Sequence, residues 1–343
     1  MDTPTHMLLG AAIAVAVVGR RAAPWKPALW GAIGAGVPDL DLLINHGDAI
    51  SNMTRHRAET HSLFWLTLAS PALAWLSARI HRDVGGRFPH WWFAIWLAMI
   101  SHPLLDWLTV YGTQLLLPFD GTAYGLGSVF VIDLLVTLPL AIGLIGLWRA
   151  RETRRYRWNA AGLAIALAYL GWSVAAQAYV TGVARDALAA RGTIVPTERI
   201  LVTPTPLNTV LWRIVVLHDD AQNRFYEGFY SLLDPDRHIP FEAFDRGLEL
   251  RPVLEPLPPV RTMQQFTDGF YKLGRHANYL TLTDLRMGQE PHYVFRFSVA
   301  RKVGDRIEPV RPDNVGGRQG DVRAALSWLW RRILGDRQPP PWR

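Results

Sequence analysis

Four short segments concentrate side chains that bind metal ions. They are "MDTPTH", "GVPDLDLL", "HRAETHSLFW" and "SHPLLDW", which contribute His6, Asp39, Asp41, His56, His61, His102 and Asp106. The chain has no cysteine, and imidazole with carboxylate but without thiolate suits zinc, manganese or iron. This many ligands of two types predicts a site for one or two divalent ions.

The spacing within two of these segments supports a shared ion. His102 and Asp106 are four residues apart, which places both on one face of a helix, where they can chelate one metal. The alternative is that the imidazole only hydrogen-bonds the carboxylate one turn away. Asp39 and Asp41 lie among leucines, where carboxylates are costly unless they are paired or metal-bound. A turn at Pro38 is the simpler interpretation of that pair.

The remaining candidates also have structural alternatives. Asp2 with Pro4 makes a good helix N-cap, so His6 could mark a helix start without binding metal. His56 and His61 could belong to a solvated loop before an apolar segment. Asp133 lies near the start of another apolar segment, and a carboxylate within a membrane is a functional candidate by default.

Apolar helices must position these residues. Candidate membrane spans lie at about 7–19, 28–45, 62–78, 91–110, 128–148 and 158–180. After residue 185 the charges and prolines are spread evenly. The sequence therefore predicts a mostly α fold, a polytopic helical membrane bundle of about five to six apolar helices at 1–182, followed by a smaller α+β extramembrane domain at 183–343. A buried helical bundle in a soluble protein is the alternative.

The arginines orient the predicted bundle. Basic residues fall in every second connection, around 20–26, 79–87 and 149–157, as the positive-inside rule predicts for cytoplasmic loops. This topology accounts for much of the net charge of +7, so we expect no nucleic-acid partner. It places the candidate ligands and the C-terminal domain on the extracytoplasmic side. Arg55 and Arg57 are exceptions, because their loop is then outside.

The C-terminal region mixes strands and helices. β-Branched and aromatic residues predict strands at "ILVTP", "VLWRIVVL", "NRFYEGFYSLL", "YLTLTDLRMG" and "HYVFRFSVARKV". "TMQQFTDGFYKLG" and "VRAALSWLWRRILG" predict helices that end at glycine. A second cluster could be formed by His218, Asp219, Asp220 and His238, but "LHDDAQNRFYEG" favours a hairpin with a polar turn. No motif indicates what this domain does or which protein it binds.

Together the motifs resemble a known family. "DTPTHMLLGAA", "PDLD", "HRAETHSL", "HPLLDWLTVYGTQLLLPF" and "VFVIDLLVTLPL" are similar to the YdjM-type family of membrane-bound metal-dependent hydrolases, and the similarity spans most of residues 2–233. The resemblance implies a bacterial inner-membrane protein with a helical metal site, distantly similar to zinc-dependent phospholipase C. Carried over by position, it implies the same seven ligands, followed by Asp133.

The predicted function is hydrolysis of an ester, in particular a phosphoester, at the extracytoplasmic membrane surface. Zinc is the expected ion, with manganese or iron as alternatives. Asp41 or Glu59 would act as general base, and Arg57 would bind an anionic substrate such as a phospholipid or neutralise developing charge. The alternatives are a structural metal site in a scaffold protein and an ion transporter. Transport needs polar groups near the membrane midplane, whereas these gather at helix ends.

Overall fold

The computed structural model describes residues 1–81, 88–193, 195–218, 223–304, 306–317 and 321–342. Its α-helices are α1 (Thr3–Val18), α2 (Trp25–Gly36), α3 (Ala49–Arg55), α4 (Leu63–Ile80), α5 (Phe88–Trp107), α6 (Leu134–Arg149), α7 (Arg155–Ala190), α8 (Arg251–Leu254), α9 (Pro258–Phe266) and α10 (Val322–Ile333). Its strands are β1 (Ile200–Pro204), β2 (Leu211–Leu217), β3 (Arg224–Ser231), β4 (Glu242–Asp245), β5 (Tyr271–His276), β6 (Tyr279–Asp284), β7 (Gly288–Gln289), β8 (His292–Tyr293), β9 (Arg296–Val303) and β10 (Arg306–Asn314).

The chain divides into two compact units. Unit 1 comprises Met1–Ile44, Arg55–Val174 and Pro206–Asn208, and unit 2 comprises Asn45–Thr54, Ala175–Thr205 and Thr209–Arg343. The division falls within α7, a few residues before the predicted boundary at 182/183. Unit 1 is helical and unit 2 contains all the described strands. A helical N-terminal region followed by a β-sheet domain is therefore confirmed.

Fewer helices than predicted could cross a membrane. Among the described residues, the helices with sufficient length and apolar composition are Thr3–Arg21, Leu63–Ile80 and Arg155–Ala190. The prediction of five to six such helices is too high. Helix α2 has only 12 residues before a 3-10 helix begins at Pro38. Helix α6 has 16 residues, and its length of about 24 Å is short of a ~30 Å hydrocarbon core. Helix α5 is long enough, but it carries His102 and Asp106.

A close crossing of α1 and α2 aligns two of the metal-binding segments. A Cβ atom on Gly31 would lie 2.2 Å from the carbonyl oxygen of Gly10, and one on Gly10 would lie 2.4 Å from that of Gly31. Only glycine permits backbones to approach this closely. The crossing brings the start of α1 beside the end of α2, where the Thr3 hydroxyl donates to Asp39 Oδ2 at 2.5 Å.

Unit 2 is built on two four-stranded antiparallel sheets. Their strand orders are β1-β2-β3-β4 and β10-β9-β6-β5, and β7 pairs with β8 in a separate ribbon. The five predicted strands are confirmed. Strands β4, β5 and β10 were not predicted from the sequence. Strand β10 is an edge strand with mostly exposed, charged residues, so it has no apolar alternation to detect.

The two predicted helices of unit 2 have different outcomes. Helix α10 is confirmed over Val322–Ile333. Helix α9 stops at Phe266, because Asp268 and Gly269 adopt φ angles of 51° and 79°, and the chain continues as β5 instead of completing the predicted helix. Strands β2 and β3 pair along their full length, which confirms the hairpin. Asp219 and Asp220 lie outside the described residues.

Candidate metal centre

The first turn of α1 places His6 in the interior of unit 1. Asp2 caps the helix, since Asp2 Oδ1 accepts hydrogen bonds from the Thr5 amide at 3.4 Å and from the Thr5 hydroxyl at 2.6 Å. The capping interpretation of Asp2 is confirmed, and His6 remains the ligand candidate of this segment. The His6 ring is fully buried and stacks on the His102 ring, with centroids 3.6 Å apart.

Asp39 and Asp41 lie on the 3-10 helix Pro38–Leu43 that follows α2. The turn at Pro38 is therefore present, but the two carboxylates also face ligand candidates. Asp41 Oδ2 accepts hydrogen bonds from the Arg57 amide at 3.1 Å and from the Thr60 hydroxyl at 2.9 Å. Arg57 holds this position with a φ of 67°, a conformation that costs a non-glycine residue about 1 kcal/mol or more.

The surroundings of both carboxylates favour their ionised form. Burial raises the pKa of Asp41, but the hydrogen bond and charge of His56, the charge of His61 and the Arg57 amide together hold it below its usual range. Burial likewise raises the pKa of Asp39, and the contacts with His102 and His61 and the hydrogen bond from Thr3 outweigh that effect. Asp39 and Asp41 are thus carboxylates at neutral pH, which is the form that binds a metal ion.

Two histidines are oriented by bonds to their Nδ1 atoms. His102 Nδ1 lies 2.6 Å from the Ala35 carbonyl oxygen, which can only accept, so Nδ1 must carry a proton. His61 Nδ1 lies 2.9 Å from the Thr60 hydroxyl, which donates onward to Asp41. In the neutral rings both Nε2 atoms are then bare acceptors. Metal-binding histidines are oriented in this way by partners of their second nitrogen.

The two bare nitrogens and Asp39 form a triangle with the dimensions of a metal site. His61 Nε2 and His102 Nε2 are 3.1 Å apart, and Asp39 Oδ1 lies 3.6 Å from the first and 3.3 Å from the second. Ligands at the ~2.0–2.1 Å bond lengths of tetrahedral zinc are about 3.4 Å apart. A bound cation would stabilise three acceptor atoms at this spacing.

Asp106 completes a second triangle on the same pair of nitrogens. Its Oδ2 lies 3.5 Å from His61 Nε2 and 3.3 Å from His102 Nε2, and it is buried without a hydrogen-bond partner. Its Oδ1 contacts the amino nitrogen of Met1 and lies 3.1 Å from His6 Nε2. His6, His102 and Asp106 thus form a further group that could hold an ion. The helix-neighbour bond considered for His102 and Asp106 is present, but it is one contact among several.

A third group lies at the more open side of the cluster. His56 Nδ1 is 3.0 Å from Asp41 Oδ1, and Asp39 joins these two residues. The His56 side chain is 15% exposed and that of Asp39 is 9% exposed, whereas those of His6, His61, His102 and Asp106 are fully buried. Asp39 and His102 each belong to two of the three groups that could hold an ion.

Arg57 faces the cluster rather than solvent. Its side chain is 5% exposed, and Nη2 lies 3.1 Å from Asp106 Oδ1 while Nη1 donates to the Thr109 hydroxyl at 3.1 Å. The guanidinium also lies over the Tyr111 ring, 4.7 Å from its centroid. Arg57 is therefore positioned by Asp106, Thr109 and Tyr111. A contact between this guanidinium and an anionic substrate stays a prediction.

The structure does not bring two predicted site residues into these groups. Glu59 is exposed on the 3-10 helix Glu59–His61. Asp133 caps α6, accepting from the Leu135 amide at 2.9 Å and from the Tyr169 hydroxyl at 2.8 Å. Neither belongs to a described metal-binding group. The other seven candidate ligands all do, and the roles assigned to individual residues remain predictions.

Sequence reasoning missed the residues that orient the ligands. Thr3 and Thr60 lie inside the motifs "MDTPTH" and "HRAETH", and their hydroxyls next to candidate ligands were the available signal. The Ala35 carbonyl could not be identified, because nothing in a sequence marks one backbone oxygen over another. Its role depends on the crossing that brings α2 beside α5.

The fold and the cluster define a helical membrane protein with a candidate metal centre at its helix ends. The chain belongs to the YdjM inner membrane protein family, whose match covers residues 1–180 and so all the candidate ligands. It is also 28% identical over 160 residues to a Bacillus subtilis (strain 168) protein named "Uncharacterized protein YfhP". That match covers 44% of this chain and 47% of the relative, so the chain spans about half the length of this relative. No solved structure matches the chain.

Proposed function

We propose that this protein is a membrane-bound, metal-dependent hydrolase of esters, most simply phosphoesters. The observation that carries the proposal is the triangle of His61 Nε2, His102 Nε2 and Asp39 Oδ1, with sides of 3.1–3.6 Å. A divalent ion held there, most simply zinc, with manganese or iron as alternatives, would supply Lewis acidity and a water of lowered pKa. Three protein ligands leave one position open, as in catalytic zinc sites.

The residues around the cluster suggest a division of roles. Thr60 and the Arg57 amide hold Asp41 as a carboxylate, so Asp41 is better suited as a ligand than as a base at neutral pH. Glu59, which directly precedes Thr60, is exposed to solvent and is the alternative base. Arg57 lies against Asp106 and offers positive charge next to the cluster, where negative charge develops during ester hydrolysis.

The location of the cluster suggests the substrate. Membership of an inner membrane family and the position of the ligands at helix ends favour a lipid or another ester of the cell envelope. The arginines lie at the opposite ends of the same helices, so the positive-inside rule favours a multi-pass topology with the metal centre and unit 2 outside the cytoplasm. Reporter fusions after Arg154 and after Trp342 test this orientation, and a cytoplasmic signal from the second fusion contradicts it.

Metal analysis of the detergent-purified full chain tests the centre. We expect about one or two divalent ions per chain in the wild type and in the control His276→Gln, which changes an exposed histidine of unit 2. His102→Gln should lose the metal. The same proteins are then assayed on a phosphomonoester, a phosphodiester and a carboxylester. Negligible metal in wild type and variant alike rules out the metal centre.

A structural metal site in a scaffold protein is the second candidate. The complete burial of His6, His61, His102 and Asp106 favours it, because structural sites are closed to solvent. Bound metal without hydrolysis of any substrate class would support this candidate and contradict the enzyme. Transport is less well supported, since within the described part of the chain the central turns of α6 and α7 carry no charged side chain.

A further inference from the structure

A second set of charged residues lies at the end of unit 1 opposite the metal centre. We call it the basic end, and it comprises the charged residues where α1, α4 and α6 finish and α7 begins. They are Arg20, Arg21, Lys26, Arg79, Arg149, Arg151, Arg154, Arg155 and Arg157. Glu152 is the one acidic side chain in the described part of these connections; residues 82–87, including Arg82 and Arg87, lie outside it.

Direct contacts join these connections into one surface. The guanidinium carbons of Arg20 and Arg155 lie 5.8 and 5.2 Å from the centroid of the same Tyr156 ring. On the neighbouring side, the rings of Trp25 and His81 meet edge to face with centroids 5.3 Å apart. The basic residues of α1 and α7, and the end of α4, therefore share one end of the bundle.

The helices that end or begin at the basic end pack closely against one another. Asn159 donates to the Ala12 carbonyl at 2.9 Å, which ties the start of α7 to α1. A Cβ atom on Gly162 would lie 2.3 Å from the Pro139 carbonyl oxygen, so α7 and α6 also pack backbone to backbone. Helix α1 alone puts about 18 Å between His6 and the end of the helix at Val18, next to this surface. The basic end is thus a surface separate from the metal centre.

In the described part of these connections, one acidic side chain, Glu152, offsets the positive charge of this surface. Glu152 pairs with Arg155 at 3.2 Å, but the Glu152 side chain is 81% exposed, so the pair is weak. Arg155 Nε and the Tyr156 hydroxyl are buried and have no hydrogen-bond partner. Arg155 Nε belongs to one of the two guanidiniums that lie over the Tyr156 ring. An anion with several acceptor oxygens at this surface would reduce the repulsion between the two arginines.

Exposed tryptophans indicate which anion this surface meets. Trp25, Trp148 and Trp158 are 48%, 55% and 48% exposed, and each lies next to basic residues of the basic end. Tryptophan rings collect at the headgroup level of a membrane, just outside the apolar part of spanning helices. Arginine clusters at the same level match the phosphates of anionic lipids. A soluble phosphate would not require the aromatic rings.

We propose that the basic end binds the phosphate headgroup of an anionic phospholipid, with Arg20 and Arg155, which lie over the same Tyr156 ring, as its main contacts. The bound lipid joins the α1–α2 connection to the start of α7. This interaction concerns a surface and a ligand distinct from the proposed hydrolysis, and it stands whether or not the metal centre is catalytic.

Lipid retention by the purified full chain tests the proposal. The protein is equilibrated in detergent with equal amounts of phosphatidylglycerol and phosphatidylcholine, and the lipids that remain bound are counted by native mass spectrometry. We expect the wild type to retain phosphatidylglycerol preferentially. Arg20→Gln with Arg155→Gln should reduce that preference roughly 30-fold, as expected for two basic residues at an anionic surface. Arg275→Gln with Arg306→Gln removes the same charge from exposed positions of unit 2 and should change nothing.

A second variant keeps the test decisive if the first does not fold. Arg151→Gln with Arg154→Gln changes exposed side chains of the basic end outside the Tyr156 contact, and it should reduce the preference by a smaller factor. Equal retention of both lipids by the wild type overturns the proposal. So does an undiminished preference in both basic-end variants. Displacement of the lipid by inorganic phosphate at equal phosphate concentration would reassign the surface to a soluble anion and also overturn it.

Discussion

The two units bury charge in different ways. In unit 2 each of three buried carboxylates meets a guanidinium: Glu227 with Arg213 at 2.5 Å, Asp234 with Arg332 at 2.6 Å and Asp284 with Arg286 at 2.8 Å. In unit 1 the cluster of Asp39, Asp41 and Asp106 has one guanidinium, Arg57, which reaches only Asp106. Its other neighbours include the Met1 amino group at Asp106, the Thr3 and Thr60 hydroxyls, and four imidazoles.

This difference indicates what each set of charges is for. A buried carboxylate with its own guanidinium is neutralised within the fold and requires nothing from outside. In unit 1 the Nε2 atoms of His61 and His102 face each other at 3.1 Å, and Asp106 Oδ2 has no donor. Buried acceptors that face one another are costly unless a cation joins them. Unit 2 therefore uses charge for structure, whereas the buried acceptors of unit 1 are candidate ligands for an ion.

The largest effect should come from breaking a pair in unit 2. Arg213→Met leaves Glu227 buried without its guanidinium and should lower the free energy of unfolding by about 3–5 kcal/mol. Denaturation, with hydrogen exchange of the β2 and β3 amides, measures the loss, and bound metal per chain should not change. The control is Arg213→Met with Glu227→Leu, which removes both charges and should recover most of the stability. A double variant as unstable as the single one would contradict a structural pair.

His102→Gln tests the candidate metal ligands of unit 1. It removes a nitrogen common to two of the metal-binding groups, so metal affinity should fall more than 100-fold, beyond the ~10–100-fold effect of residues that only orient ligands. Competition with a chromophoric chelator measures the affinity, and His276→Gln in unit 2 is the matched control. If His102→Gln binds metal as tightly as His276→Gln, the triangle is not the binding site.

A smaller loss is expected where the side chain only orients a ligand. Thr60→Val removes the hydroxyl that contacts His61 Nδ1 and donates to Asp41, and metal affinity should fall by about 10–100-fold. Thr60→Ser keeps the hydroxyl and should restore most of the affinity. The same chelator competition serves as the assay. Equal affinities for the valine and serine variants would show that the hydroxyl does not orient the cluster.

The sequence predicted the ligand types of unit 1 better than their arrangement. Spacing placed His102 and Asp106 on one helical face, and the arginine distribution placed eight candidates at one end of the bundle, of which seven belong to groups that could hold an ion. The triangle depends on Ala35 and Thr60, which act through the packing of α2 and α5 and through a local 3-10 turn. Neither contact follows from residue spacing, because both join elements through backbone geometry.

Arg57 and β10 mark two further limits of the sequence. Arg57 was recognised as an exception to the charge pattern, but its contacts with Asp106 and Thr109 form only in the folded chain. Strand β10 was missed because an edge strand needs no apolar alternation, and its pairing with β9 decides its conformation. Local patterns predicted the elements with a buried face, and tertiary contacts decided the others.

The smallest change in stability should come from an ion pair that is exposed to solvent. Arg301 lies 3.9 Å from Glu308 between β9 and β10, and the two side chains are 50% and 53% exposed. Arg301→Gln should change the free energy of unfolding by less than about 0.5 kcal/mol, because water and salt screen an exposed pair. Denaturation at low and high salt, alongside Arg213→Met, measures both pairs under the same conditions. If Arg301→Gln lowered the free energy of unfolding as much as Arg213→Met, an ion pair would stabilise unit 2 whether or not it is buried. Burial of a paired charge would then no longer be the feature that separates the structural charges of unit 2 from the candidate ligands of unit 1.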